Sequence, residues 1–204
     1  MNEEEKQARI WNMNAHFAWS LAMWGSGEHA RNIGSTLLAS VGHYYSTFHA
    51  GFSVACTDHT INLKDYEHVD HGTVHRWTKR LLGDEAGERF DRLRRMREAL
   101  NYMGVGDPLS KFQLVRGTMA GFDFDGTKVS FEEALATASS LSRGLVSAAL
   151  DAIEVHGRKE RWPGPRRGDT AWQDEYLQED LLRTVFTTHE ARKAVLGFGF
   201  GLLK

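Results

Sequence analysis

Residues 32–56 read NIGSTLLASVGHYYSTFHAGFSVAC. Leu38, Val41, Tyr45, Phe48, Phe52 and Ala55 recur at alternating three- and four-residue steps, the spacing that places side chains on one stripe of a long helix. Gly34, Gly42 and Gly51 lie inside the stretch. Each costs a helix about 1 kcal/mol relative to Ala. A helix carrying three glycines draws its stability from packing, so the stretch is expected to be central and covered on several sides. His43 and His49 ride on it and are the first candidates for chemistry.

The chain has 204 residues, 41% of them hydrophobic, enough for one domain with a real core. Its formal charge is −2, so no global field draws it to nucleic acid or to anionic membrane. One cysteine, Cys56, excludes an intrachain disulfide and suits a reducing compartment. The N-terminus, MNEEEKQ, is acidic where a signal peptide is basic, and no apolar run reaches the roughly 20 residues of a membrane span. The expectation is a cytoplasmic protein without membrane contact. Prolines stand only at 108, 163 and 165, which suits long helices.

Outward from the central stretch, residues 3–24 predict a first helix, broken by Gly25-Ser26-Gly27. Residues 57–69 read as a loop. Asp70 can cap a helix over 71–82, and a fourth helix runs from about Glu88 to Met103. Residues 111–130 alternate in places and contain Asp125-Gly126, a short hairpin signal. Ser130-Phe131-Glu132-Glu133 fits a capping box, opening a fifth helix to about Val155. The segment 157–168 is basic with two prolines and reads as a loop, and a last helix is expected over 170–196. The organisation is thus an all-α up-and-down bundle over 1–156, then a basic loop and helical C-terminal extension over 157–204. That extension would pack on the bundle or on a second subunit.

The string YYSTFHA (44–50), then HGTVHRW (71–77), then LRRMREALNYM (93–103) resembles the HEPN domains of toxin–antitoxin and defence systems. The resemblance covers about residues 8–155. It implies an RNA-directed or partner-binding module, pairing as a homodimer and served in some systems by a nucleotidyltransferase-type partner protein. Ribonucleases of the family carry an Arg followed, after four to six residues, by His. Arg97 matches the arginine, but Tyr102, Met103 and Gly104 occupy the histidine's places. Family-type RNA cleavage is therefore expected to be absent or weak. The site residues carried over are Arg97, Asn101 and Tyr102. Arg97 and Asn101 share a helix face, where a guanidinium fork can take a phosphate with Asn101 as partner, or pair with a buried acid. Arg9/His16 and Arg183/His189 also fit the spacing, as chance alone would produce.

Two further constellations stand out. Arg158, Lys159, Arg161, Arg166 and Arg167 cluster with Trp162, a loop that can hold RNA backbone with one stacked base, or simply a solvated linker. His71 and His75 form H-x3-H, with His68 just before them; on a helix the pair points two imidazoles to one side. With His49 or His43 as third ligand the set is similar to DinB-like bundles, which hold a divalent metal such as zinc. The favoured expectation is no cofactor, with His71 at its helix start and His49 hydrogen-bonded inside the bundle. A metal-dependent bundle enzyme and a purely structural dimerisation protein are the alternative functions. Phe122–Thr127 matches the D-x-D-G-T signature of haloacid-dehalogenase phosphatases, without room for that fold's β/α units.

Overall fold

The computed structural model describes residues 1–67, 69–101, 112–115, 118–124 and 127–166, and the side chains considered below lie within 1–100 and 129–166. Five helices form a bundle: α1 (Glu3–Asn32), α2 (Thr36–Ala55), α3 (His71–Leu82), α4 (Asp84–Asn101) and α5 (Phe131–Glu160). A 3-10 turn covers Leu63–Tyr66. Between α4 and α5 lies a small antiparallel sheet in the order β1 (Phe112–Val115), β2 (Thr118–Phe124), β3 (Thr127–Ser130). A bulge interrupts the β1–β2 register between Gln113 and Leu114. The expected hairpin is thus two hairpins sharing β2. The fold is an all-α bundle carrying one small sheet. The expected helix over 170–196 lies outside the described residues.

The helix starts follow their local chemistry. The Asp70 side chain accepts from Thr73 N–H at 2.6 Å and caps α3. Ser130 Oγ accepts from Glu133 N–H at 3.1 Å, and Glu133 reaches back to Ser130 N–H at 2.8 Å, a complete capping box for α5. α2 packs against all four other helices, as a central helix must.

The large apolar stripe of α2 is buried only at its C-terminal end, where Phe52 and Ala55 join the core, and Tyr45 and Phe48 pack on the core's edge. Leu38 is exposed, and Val41, Tyr45 and Phe48 are half-exposed, whereas Ala39, Ser40, Gly42, His43, Ser46, Ala50, Gly51 and Ser53 are buried. Small residues are buried because backbones come close there. A Cβ on Gly42 would stand 2.6 Å from the Gly27 backbone nitrogen, and one on Gly51 would overlap Thr78 Oγ1. The same contact corrects the expected break at 25–27. α1 runs unbroken to Asn32, because Gly27 is the seat for α2 rather than a stop. The helix ends instead at Ile33 and Gly34, the latter at φ +77°.

α4 starts at Asp84, four residues before the expected Glu88, and a further departure is at the end of α5. The helix continues past Val155 to Glu160, so Arg158 and Lys159 are helical rather than part of a loop. Arg161 then takes the left-handed conformation, φ 56°, and Trp162 N–H returns to the Gly157 carbonyl at 3.0 Å. The Trp162 ring is 2% exposed and belongs to the core. Behind it, Asn14 donates to the Pro163 carbonyl at 3.3 Å, fastening the segment to α1.

Candidate functional site

The three segments that carry the family resemblance meet at one place. Tyr44 of α2 is fully buried there, its hydroxyl 2.6 Å from Nδ1 of His71, the first residue of α3. Arg97 of α4 lies with its guanidinium carbon 4.4 Å from the Tyr44 ring centroid and 6.0 Å from that of Tyr45. Phe48 meets the His71 ring edge-on at 5.1 Å, and Phe90 meets the Tyr44 ring likewise at 5.7 Å. Burial raises the Tyr44 phenol above its usual range, against the pull of Arg97, so the hydroxyl stays protonated. Burial, and then Arg97, lower the His71 imidazole, with Asp70 and Glu98 opposing. A neutral His71 faces a neutral phenol at pH 7.

The arginines of α4 differ sharply in their partners. Arg94 is tied to Asp91 at 2.8 Å and lies 3.6 Å from Glu98; Arg95 reaches Asp91 at 3.1 Å. Arg97 is 9% exposed, its Nε has no hydrogen-bond partner, and among the described residues no carboxylate lies within ion-pair distance of it. The expected buried acid is therefore not there; the charge rests on two tyrosine faces. Cation–π contact offsets part of the desolvation of such a charge, about 0.5–2 kcal/mol, and leaves Nε unbonded. Asn101 closes α4 one turn on; its side chain, like Tyr102, lies outside what the structure describes. A nearby cleft of about 400 Å³ between α3 and α4 is lined by His75, Lys79 and Arg95 among others. Its cations are engaged: Lys79 with Asp84 at 3.1 Å, Arg95 with Asp91.

The histidines do not gather. His71 is bound to Tyr44, His75 Nε2 lies 3.1 Å from the Gly87 carbonyl, and His49 Nδ1 lies 2.9 Å from His16 Nδ1. His43 is buried between Ser142 Oγ at 3.1 Å and Glu28 Oε1 at 3.3 Å. Among the described residues no three His, Cys, Asp or Glu side chains form a group that could hold a metal. The alternative site of His49, His71 and His75 is thereby corrected. H-x3-H does put His71 and His75 on one side of α3, but each ring turns to a different neighbour, and His49 looks toward α1. His68 lies outside the described residues.

The basic cluster is also rearranged. Arg158 pairs with Glu154, and Lys159 lies 4.0 Å from Glu160. Arg161 and Arg166 are exposed, and Arg167 lies outside the described residues. Trp162 is core, so the base-stacking role assigned to it is corrected. Arg9 is no partner for His16 in a catalytic pair. It is buried and held by Glu5, the carbonyls of Asp58 and Ile61, and the Tyr66 hydroxyl, fastening the 57–66 segment to α1. What sequence reasoning missed is Tyr44 as the hub of the site and His16 as the partner of His49. In the sequence Tyr44 is the first letter of the YYSTFHA segment, with nothing to mark it as the point where three helices meet. No family model, no curated protein and no solved structure matches this chain.

Proposed function

We propose that the chain is a HEPN-like, RNA-directed module of the toxin–antitoxin or defence type, with Arg97 as the position that takes a phosphate. The observation that carries the reading is an arginine residue 9% exposed, with a buried, unbonded Nε and no carboxylate within ion-pair distance among the described residues. An unpaired buried charge costs several kcal/mol, and a phosphate oxygen on the guanidinium fork would offset it. His71 stands beside the same tyrosine as a second polar group for the ligand. Arg97 lacks the histidine of the family's nuclease pair, so the reading is of binding to RNA, with cleavage absent or weak. A homodimer, a nucleotidyltransferase-type partner and residence in the cytoplasm belong to the same proposal. No helix among the described residues is long and apolar enough to cross a membrane.

The test is binding of single-stranded RNA over a salt series. Each phosphate contact contributes about −0.7 to the slope of log K against log salt. Arg97→Ala is expected to weaken binding at least about tenfold and to flatten the slope by about one contact, with His75→Ala unchanged. Equal binding by wild type and Arg97→Ala, both folded, would sink the assignment. Efficient metal-independent cleavage lost in Arg97→Ala would show that binding alone is too modest a reading.

A further inference from the structure

Tyr44 sets which nitrogen of its neighbour carries the proton. The tyrosine is fully buried, and its hydroxyl meets one polar atom among the described residues, His71 Nδ1 at 2.6 Å. Were Nδ1 the donor, the phenol O–H would be a buried donor without an acceptor, which folded proteins avoid. The phenol therefore donates and Nδ1 accepts. A neutral imidazole with Nδ1 as acceptor carries its proton on Nε2. His71 is half-exposed, and among the described residues no hydrogen bond holds Nε2. Its N–H is a donor left for a ligand. Arg97 is the second donor group, its guanidinium carbon 4.4 Å from the Tyr44 centroid and its Nε buried and unbonded. Tyr45 adjoins both: its centroid is 5.9 Å from that of His71 and 6.0 Å from the Arg97 guanidinium carbon.

Two features select among the phosphates of a strand. Arg97 is 9% exposed, so the group that reaches it must be narrow. A phosphate inside a strand carries a nucleoside on two of its oxygens and lies along a surface. A terminal phosphate carries a nucleoside on one oxygen, has three oxygens free and about two negative charges at pH 7, and enters end-on. Beside the donors stand two half-exposed rings, Tyr45 and Phe48, edge to face with centroids 6.2 Å apart, and Phe48 lies 5.1 Å from His71. Bases stack on such rings without regard to sequence. Resting on the RNA reading above, we infer that Arg97 and the Nε2–H of His71 take the terminal phosphate monoester of a strand, with its end base against Tyr45 and Phe48. Tyr44 is the positioning residue, acting through His71.

The experiment measures binding by the full chain of one single-stranded RNA bearing a 5′-phosphate, a 3′-phosphate or hydroxyls at both ends. A hydroxyl-ended strand one nucleotide longer matches the phosphate count and controls for charge. At least one phosphate-ended strand is expected to bind about tenfold or more tighter than both hydroxyl-ended ones, and the tighter of the two names the end. Arg97→Ala and His71→Ala are expected to remove the preference, and His71→Gln, whose amide N–H can stand in for Nε2–H, to keep part of it. Tyr44→Phe is expected to weaken the preference in the wild-type background and to change nothing in the His71→Gln background, where there is no tautomer to set. If all four strands bind alike and Arg97→Ala weakens them all, the terminal-phosphate site is overturned and the RNA reading stands. If no strand binds, both fall. A preference undiminished in His71→Ala also overturns the site. Should the variants fail to fold, the four strands on wild type decide alone.

Discussion

The α1–α2 seam and the α2–α3–α4 junction both bury polar side chains, yet they treat them differently. Along the seam some buried groups are bonded, His43 Nδ1 to Ser142 and Ser53 to the Met13 carbonyl, and others, Ser20, Ser46, His43 Nε2 and Glu28 Oε1, have no hydrogen bond. At the junction the unbonded group belongs to a permanent charge: Arg97, 9% exposed, lies on two aromatic faces without an ionic partner among the described residues. A polar group that serves the fold is normally satisfied by the fold. A charge left unsatisfied is where stability has been given up, and such places point to a ligand.

Acid is expected to break the comparison first. His16, His43 and His49 fall to about 4, 4 and 3 in the folded protein, burial being the first cause in each. The unfolded chain takes up protons near pH 6.5, where the folded chain refuses them. Stability is therefore full above pH 6.5 and is lost as pH falls toward the folded values. By pH 5 each group contributes a loss on the order of 2 kcal/mol. Urea midpoints measured between pH 7.5 and 5 check this; a flat profile would mean that the seam is not as dry as its geometry indicates.

A pair of substitutions sharpens the contrast. Losing a buried hydrogen bond costs about 1 kcal/mol, so His43→Leu, which removes the His43 contact of Ser142 but leaves it the Ser139 carbonyl and leaves Glu28 with Arg31, should destabilise by about that much. Arg97→Met removes a charge that nothing in the described fold neutralises. It should be neutral or stabilising by about 1 kcal/mol, even as RNA affinity falls. Equal destabilisation by the two, read from denaturant midpoints, would erase the distinction between seam and junction.

The smallest effect belongs to Arg161. As a non-glycine residue at φ 56° it carries left-handed strain, and Arg161→Gly should stabilise by about 0.5–1 kcal/mol. If Arg161 also touches RNA, the same variant binds more weakly; a more stable variant with unchanged affinity removes it from the interface.

Much of the architecture was legible because it rests on local chemistry. Asp70 and Ser130–Glu133 announce their helices through caps that depend on three neighbouring residues. The central place of α2 was legible through its glycines. Which side of α2 faces the core was not. Tyr45 and Phe48 look like core by size, but the buried sides are those where Gly42 and Gly51 let other helices approach. Closeness is a property of two elements, and one sequence window cannot hold it. The same limit hid the site. Arg97 was readable, whereas Tyr44 and His71 gain meaning only from facing it, and His16 only from facing His49.

Trp162 has a consequence for synthesis. The ring that fills the bundle comes after the last helix of the described bundle has ended, so a chain made as far as Glu160 has all five helices and still has a hole. Chains are made from the N-terminus, and partly finished domains expose apolar surface. This one stays open at one end until the residues after α5 emerge and fold back onto α1. A ribosome stalled at the end of α5 would therefore hold a nascent bundle with the Trp162 position unfilled, a surface for chaperones to recognise.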